Sequence, residues 1–441
     1  MSQAPKIAEF VEWEEKVIDG VHLTAADALL VEREQGDGRL EIDDLRAGLR
    51  VSAKSWVGVV RLTQVEIRIR PKLAGGESYL IKLIDRVAGV DALSRLPGAR
   101  TLDANEHDLF DMFVLLLCEA SELLIRSGVL ADYVEREEEL GVVRGRLLVE
   151  RQVLERFGRV DRLICRYDEH QTDIVENQIL AAVLRRAARQ ARSPSLRNRA
   201  HRLAEAFAEV CDPDQVDLAG AREAISYHRM NARYQDAHRL AWLVLDGLGV
   251  RDLHASGPTR CFAFLINMNT LFERFVEMVV RQALAGTDAT VRKQRRDGSV
   301  LWDATKGVSF GKVIPDLLVD WGAGGARGAR ARLPIDAKYK LYGERKAESG
   351  DVYQAFLYAS AYGGWEGGEL ARALIVYPSS EKAVTHQRIQ IRRSAGAAAS
   401  EIGVVGVPIA EMLDELGVGG GPCLDALVRA IGRPACVERY N

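Results

Sequence analysis

The sequence predicts an α/β C-terminal core, preceded by a β-rich N-terminal domain over residues 1–100 and a mainly helical middle region over 101–255. Three observations carry this. Residues 313–340 hold two runs that alternate with period two, as half-buried strands do. Helical runs flank this pair, with further strand-like runs beyond. Ahead of them, crowded strand-like runs before residue 100 give way to helical apolar spacing from about residue 105.

In the first region LRVSA, WVGVVRL and VEIRIRPKL follow in close succession. Val65, Ile67 and Ile69 face one way, Glu66, Arg68 and Arg70 the other, and Pro71 ends the run. A helix is expected in SYLIKLIDRVAGV. This region shows no catalytic constellation, so its expected role is binding or positioning. In the middle region a helix starts at Asp108. The acidic run EREEEL and a short extended stretch, GVVRGRLLV, come next. CRYDEHQTDIVENQILAAVLRRAARQ and YHRMNARYQDAHRLAWLVLDG read as helical. Asp168, Glu169 and Asp173 could be metal ligands, but a loop entering a helix commonly carries acidic caps.

The third region, residues 256–395, holds the chemistry. NMNTLFERFVEMVVRQAL is an amphipathic helix with Met268, Leu271, Phe272, Phe275 and Val279 on one stripe. Glu273 sits beside that stripe, where it either reaches a site above the sheet or meets solvent. TVRKQRR is a short strand, and VIPDLLVD and RLPIDAKYK form a hairpin joined by WGAGGARGARA. SGDVYQAFLYASAYGG is a helix capped by Ser349 or Asp351 and ended by Gly363-Gly364. ARALIVYP and HQRIQIRR are strands. The order is thus helix, three strands, helix, two strands. Residues 396–441 form an extension without an assigned role.

Pairing the hairpin can bring Asp316 near Asp336, with Lys338 on the same face. Converging carboxylates raise one another's pKa, and a divalent cation relieves them. Hard oxygen ligands in a loose set suit Mg²⁺, with Mn²⁺ as a substitute. The lysine can then orient or deprotonate water for in-line attack on phosphorus. The competing reading is a surface hairpin whose polar face meets water. Gln354 and Tyr358 lie four apart on one helical face; for the tyrosine, core packing is the alternative.

Length and composition fit two or three globular domains: 441 residues, 47% hydrophobic and 28% charged. No apolar stretch is long enough to span a membrane. The nearest, LFDMFVLLLCEASELLI, is interrupted by Asp111, Glu119 and Glu122. The first residues lack a signal-peptide layout, and the six cysteines contain no C-x-x-C pair, so a reduced cytoplasmic setting is expected. The eight histidines show no ligand spacing. The net charge is −3, yet residues 289–346 hold thirteen Lys or Arg against six Asp or Glu. Such a local surplus either contacts a phosphate backbone or is merely solvated; beside two candidate metal-binding carboxylates it favours DNA. No G-x-x-x-x-G-K-[ST] loop occurs, so this chain is not expected to bind a nucleotide.

Pro315-Asp316, nineteen residues, then Asp336-Ala337-Lys338 resembles the PD-(D/E)xK nuclease motif. Gln354 and Tyr358 resemble the Q-x-x-x-Y element that follows it in several nuclease families. The element order is that of a restriction-endonuclease-like core, a mixed sheet flanked by helices. More specifically, IRIRPKL, RGRLLVERQ, CRYDEHQTDIVENQIL, RMNARY, MNTLFERFV, VIPDLLVD and IDAKYK, in this order, resemble the McrC family. These are the nuclease subunits of McrBC-type, modification-dependent restriction systems. The resemblance implies an N-terminal domain that docks on an McrB-like AAA+ GTPase, and a C-terminal nuclease that cuts double-stranded DNA when the motor translocates. It also implies that Asp316 and Asp336 are the motif aspartates, Lys338 the lysine and Glu273 the helix-borne acid. The expected catalytic set is therefore Asp316, Asp336, Lys338, Glu273 and Gln354, with Asp316, Asp336 and Glu273 on the metal. A different class of function stays open: a non-catalytic activator of an AAA+ motor that uses the nuclease fold only to grip DNA.

Overall fold

Val65, Ile67 and Ile69, the apolar side of VEIRIR, are buried together, as their alternation requires. The computed structural model describes residues 5–72, 76–88, 108–159, 161–248, 261–293, 297–321, 331–340, 348–362, 364–365, 370–393 and 398–432. The expected domain boundaries, the connection between the two hairpin strands, the end of RKQRR, Gly363 and Cys436 lie outside them.

The N-terminal part runs β1 (Lys6–Val11), β2 (Glu15–Asp19), α1 (Ala25–Gly36), β3 (Leu40–Leu45), β4 (Gly48–Ala53), β5 (Trp56–Arg61) and β6 (Val65–Arg70). β1 pairs in parallel with β6, β6 antiparallel with β5, and β2, β4 and β3 form a second antiparallel sheet. Three of these strands match the sequence-predicted runs. The helix α1 was not expected; Thr24 opens it with a reciprocal capping box to Asp27. The expected helix after Pro71 is α2 (Gly76–Ala88).

The middle region is α3 (Leu109–Arg126), β7 (Asp132–Leu140), β8 (Arg146–Leu147), α4 (Val149–Arg156), β9 (Leu163–Gln171), α5 (Val175–Gln190), α6 (Pro194–Ala208), α7 (Leu218–Ala224) and α8 (Gln235–Leu248). It is helical as expected, with one correction. CRYDEHQ is not helical but the strand β9, and the acidic run, to which no element was assigned, is its antiparallel partner β7. The charges on β7 are matched non-locally: Glu137 pairs with Arg166 across the strands and with Arg151 of α4, and Glu139 pairs with Arg156 of α4. The acids weighed as metal ligands also have other partners. Glu169 accepts from Arg144, and Asp173 accepts from Gln178 and from the Asp212 amide. DIVEN and RMNARY meet in a buried network. Tyr234 donates to Asn177 Oδ1 at 2.7 Å, and Asn177 donates to the carbonyls of Leu130 and Thr172. Asn231 donates to Glu176 at 2.9 Å. A fully bonded polar network of this kind fixes helix registry.

β10 (Phe262–Asn267) does not begin the C-terminal core as the expected boundary at 256 implies. It completes the N-terminal sheet, antiparallel to β5. The core proper is α9 (Met268–Ala283), β11 (Ala289–Lys293), β12 (Asp297–Asp303), β13 (Val308–Val313), β14 (Leu317–Trp321), β15 (Ala331–Ala337), α10 (Ser349–Tyr362), β16 (Gly364–Trp365), β17 (Ala371–Ser379), β18 (Thr385–Arg392), β19 (Ala398–Pro408), α11 (Ile409–Val418) and α12 (Pro422–Ile431). Its sheet has the order β11-β14-β15-β17-β19-β18, with β16 on β15 and β12-β13 as a separate hairpin. β17 is parallel to β15 and β19; the other pairs along the order are antiparallel. The sheet is mixed, and alternate residues of β17 serve its two faces. Ala373 and Ile375 pack with Ala355 and Ala359 of α10, while Leu374 and Val376 join the core shared with α9, α11 and α12.

Residues after 395, read as an extension without an assigned role, supply β19, which lies inside the sheet. Its run EIGVVGV is buried on both faces and so shows no alternation. Gly403 and Gly406 are needed there because a Cβ would collide with Leu374 and with Thr385 and Tyr377.

The N-terminal part is built into the rest. Val57 and Val59 of β5 share a core with Phe110, Phe113 and Phe264, and Phe110 meets the Phe262 ring at 4.8 Å. Deleting residues 1–72 is therefore expected to leave β10 as a bare edge and the fragment aggregated. Size-exclusion chromatography and thermal melting check this; a monodisperse, cooperatively melting fragment would contradict it.

Candidate active site

The register Leu317–Ile335 places Asp316 and Asp336 at the next step of the β14–β15 pair, where the sheet opens. Asp316 Oδ2 accepts a hydrogen bond from the Ala337 amide at 2.8 Å. Asp336 is only 3% exposed and every residue of β14 is buried, so this hairpin is no solvated surface ribbon. One residue past β15, the Lys338 amide continues the ladder by donating to the Val376 carbonyl at 2.8 Å.

Lys338 Nζ stands 2.9 Å from Asp336 Oδ2, an ion pair in which that oxygen accepts no well-directed hydrogen bond. The ammonium donates instead to Gln354 Oε1 at 3.0 Å. Gln354 Nε2 donates to the Tyr358 hydroxyl at 2.8 Å, and that hydroxyl donates to the Ile314 carbonyl at 2.9 Å. The chain of bonds thus runs from Lys338, along one face of α10, back to the residue preceding Pro315-Asp316. Tyr358 is a core residue that also carries this polar link; Tyr362 does the same to the Val313 carbonyl at 2.7 Å. Gln354→Ala is expected to slow turnover about tenfold by freeing the lysine, and Tyr358→Phe less so. Single-turnover cleavage rates measure this, and unchanged rates in Gln354→Ala would remove that residue from the site.

All three candidate acids have raised pKa values. Burial pushes Asp336 up to about 6; Asp316 adds to the rise and Lys338 opposes it. Burial also raises Asp316, against the Ala337 amide and with a push from Glu273. Glu273, half-buried on α9, is raised by burial and by Asp336 and lowered by Lys293 and Lys338. Two buried carboxylates that destabilise one another, one with an oxygen lacking a hydrogen bond, have the chemistry that a divalent cation relieves. Among the described residues, however, no group of three or more His, Cys, Asp or Glu is gathered closely enough to hold a metal. Asp316 and Asp336 are the residues that could hold a cation, and Glu273, expected with them as a ligand, interacts with both electrostatically. Mg²⁺ tolerates such a partial set because it keeps several waters.

The sign of the Asp336 shift gives a prediction. Below pH 4 both folded and unfolded chains hold this proton. Between about pH 4 and 6 the unfolded chain releases it first, so the folded state loses stability as pH rises through that window. Without metal, Asp336→Asn is expected to be more stable than wild type by roughly 1–3 kcal/mol at pH 7.5, with the gap closing near pH 4. Urea unfolding in EDTA at both pH values checks it, and an equal gap at both would contradict the assignment.

Asp320, on the same face as Asp316 by alternation, belongs to a different group. It sits between Arg332 and Arg292, each at 3.0 Å, at the far end of the hairpin. Two residues that sequence reasoning passed over adjoin the site. Lys293 lies in the field of Glu273 and pairs with Glu277 at 3.2 Å. Tyr339 reads as a plain core residue within IDAKYK. The five described cysteines are buried and free, and no described helix is long and apolar enough to cross a membrane.

The family model described as McrBC 5-methylcytosine restriction system component matches residues 51–378, a span from β4 to β17 that holds every candidate site residue. No curated protein matches the chain. Among solved structures, the chain resembles one in the refined half-complex from a tetradecameric assembly of Thermococcus gammatolerans McrB AAA+ hexamers with bound McrC. Identity there is 20% and the TM-score 0.58, over 94% of this chain and 100% of that one, a likeness of fold. A chain in the cryo-EM structure of the Thermococcus gammatolerans McrBC complex matches at 22% identity and a TM-score of 0.44, over 65% of this chain and 90% of that one. The chain belongs to the family of McrBC 5-methylcytosine restriction system components, the kind of system that its seven ordered segments resemble.

Proposed function

We propose that this chain is the Mg²⁺-dependent DNA endonuclease subunit of a McrBC-type, modification-dependent restriction system, working with an AAA+ partner. The observation that carries the reading is Lys338, set against Asp336 and braced through Gln354 and Tyr358 to Ile314, two residues before Asp316. A part-buried lysine held by one ion pair and one hydrogen bond beside two buried carboxylates is more than a fold that only grips DNA requires. Asp316 and Asp336 would hold the cation, with Glu273 adding negative field. Bound there, Mg²⁺ supplies Lewis-acid polarisation of the scissile phosphate and a more acidic water. The chain's own part is positional. Lys338 Nζ orients the attacking water and balances charge developing on the phosphoryl oxygens, and Gln354 Oε1 keeps that ammonium from rotating away. The basic surplus around the hairpin favours backbone contact with duplex DNA without sequence reading. The partner is proposed from the kinship, together with the AAA+ hexamers present in the structure this fold resembles.

The test is cleavage of plasmid DNA carrying 5-methylcytosine by the chain with its purified AAA+ partner and nucleotide. Mg²⁺-dependent double-strand cutting that EDTA stops is the expected result. DNA binding and stimulated nucleotide hydrolysis without cutting would establish the activator role instead.

A further inference from the structure

Residue 339 follows the site lysine, beyond the end of β15, and its side chain points out of the nuclease sheet into the N-terminal part. The Tyr339 hydroxyl donates to Glu12 Oε1 at 2.7 Å, and the Lys72 amide donates to the same oxygen. Glu12 is 1% exposed and Tyr339 7%. A buried carboxyl is expensive unless its bonds matter, and here both bonds converge on one oxygen while Oε2 has no hydrogen-bond partner.

The Glu12 end is firmly placed. Its amide donates to the Arg70 carbonyl, closing the parallel β1–β6 pair. The next residue, Trp13, has a φ of 65°, a left-handed conformation that a bulky side chain adopts only when its surroundings impose it. The Tyr339 end reaches two site elements at once. It is covalently next to Lys338, and its ring lies 5.8 Å from that of Phe272, the neighbour of Glu273 on α9. A second tie enters α9 at its start. The Met268 amide donates to the Ser55 carbonyl, and Asn269 Nδ2 donates to Ser55 Oγ, both at 2.9 Å. The elements carrying Lys338 and Glu273 are therefore each fastened to the N-terminal sheets.

Building on the nuclease reading, we propose that Glu12 and Tyr339 are positioning residues: a strut through which the pose of the N-terminal sheet holds Lys338 in place and so sets the cleavage rate. A lysine displaced by a fraction of its bonding distance from Asp336 and Gln354 loses its aim while the fold stays intact. Because the strut joins two parts of the chain, any load on the N-terminal sheet reaches the lysine directly.

The experiment compares wild type, Lys338→Ala, Tyr339→Phe, Glu12→Leu, the double variant and Glu12→Gln, each as full chain with the AAA+ partner. Wild-type cutting that Lys338→Ala loses establishes the underlying reading independently of the strut. Tyr339→Phe and Glu12→Leu are each expected to lower kcat about tenfold, with KM for DNA and the partner's nucleotide hydrolysis unchanged. The double variant is expected to be no worse than the weaker single, since both changes remove one bond. Glu12→Gln, whose amide oxygen still accepts from Tyr339, is expected to cut within about twofold of wild type. Cutting at the wild-type rate by Tyr339→Phe, or multiplicative losses in the double variant, would overturn the strut. If Glu12→Leu fails to fold, Tyr339→Phe and Glu12→Gln decide the matter alone, and equal losses of kcat in those two would also overturn it.

Discussion

Lys338→Ala is expected to lower DNA cleavage by the partner-bound complex about 10³-fold, and Asp316→Ala and Asp336→Ala at least as much. The three side chains occupy the open end of one strand pair, with an amide bond from Ala337 to Asp316 and a 2.9 Å ion pair from Lys338 to Asp336. None of them fills the apolar core, so the fold and partner binding should survive each change. Removing Lys338 also leaves Asp336 facing Asp316 without its counter-charge, which should raise the carboxyl pKa further and tighten the requirement for metal. Single-turnover cleavage, with partner co-elution as the folding control, measures this. Cutting near the wild-type rate by any one variant would take that residue out of the mechanism.

The second large effect is dependence on the partner. The full chain alone in Mg²⁺ is expected to cut at least about 100-fold more slowly than the assembled complex with nucleotide. The chain has a candidate site but no phosphate-binding loop of the G-x-x-x-x-G-K-[ST] type, and under the proposed reading its basic surplus would contact the DNA backbone without reading sequence. Such a nuclease is safe only if assembly controls it. Robust cutting by the isolated chain would instead mark a free-standing enzyme. Truncation is a poor tool for this question. β5 pairs with β10, and the N-terminal strands carry part of the central core, so deletion reports on folding before it reports on docking.

The site was legible because its logic is local. Period-two alternation and the spacing from Asp316 to Lys338 are enough to place the three residues on a paired face, and a helical spacing of four joins Gln354 to Tyr358. The structure adds why the tyrosine is polar as well as buried: its hydroxyl reaches the Ile314 carbonyl. What stayed hidden was non-local. β19 has no alternation because both its faces are covered, so a strand inside the sheet gives no period-two signal. β7 reads as a charged run because its ladder partner β9 and the arginines that match its charges lie elsewhere in the chain. Glu12 and Tyr339 are 327 residues apart, and nothing near either of them signals the other.

The account rests most heavily on the aspartate pair as a cation site. Mn²⁺ titrated into the full chain, followed by loss of the free-ion EPR signal, tests it without reference to cutting or to a partner. Wild type is expected to take up the ion, Asp316→Asn and Asp336→Asn to lose that binding, and Gln354→Ala to keep it. Undiminished Mn²⁺ binding by Asp336→Asn would contradict the account.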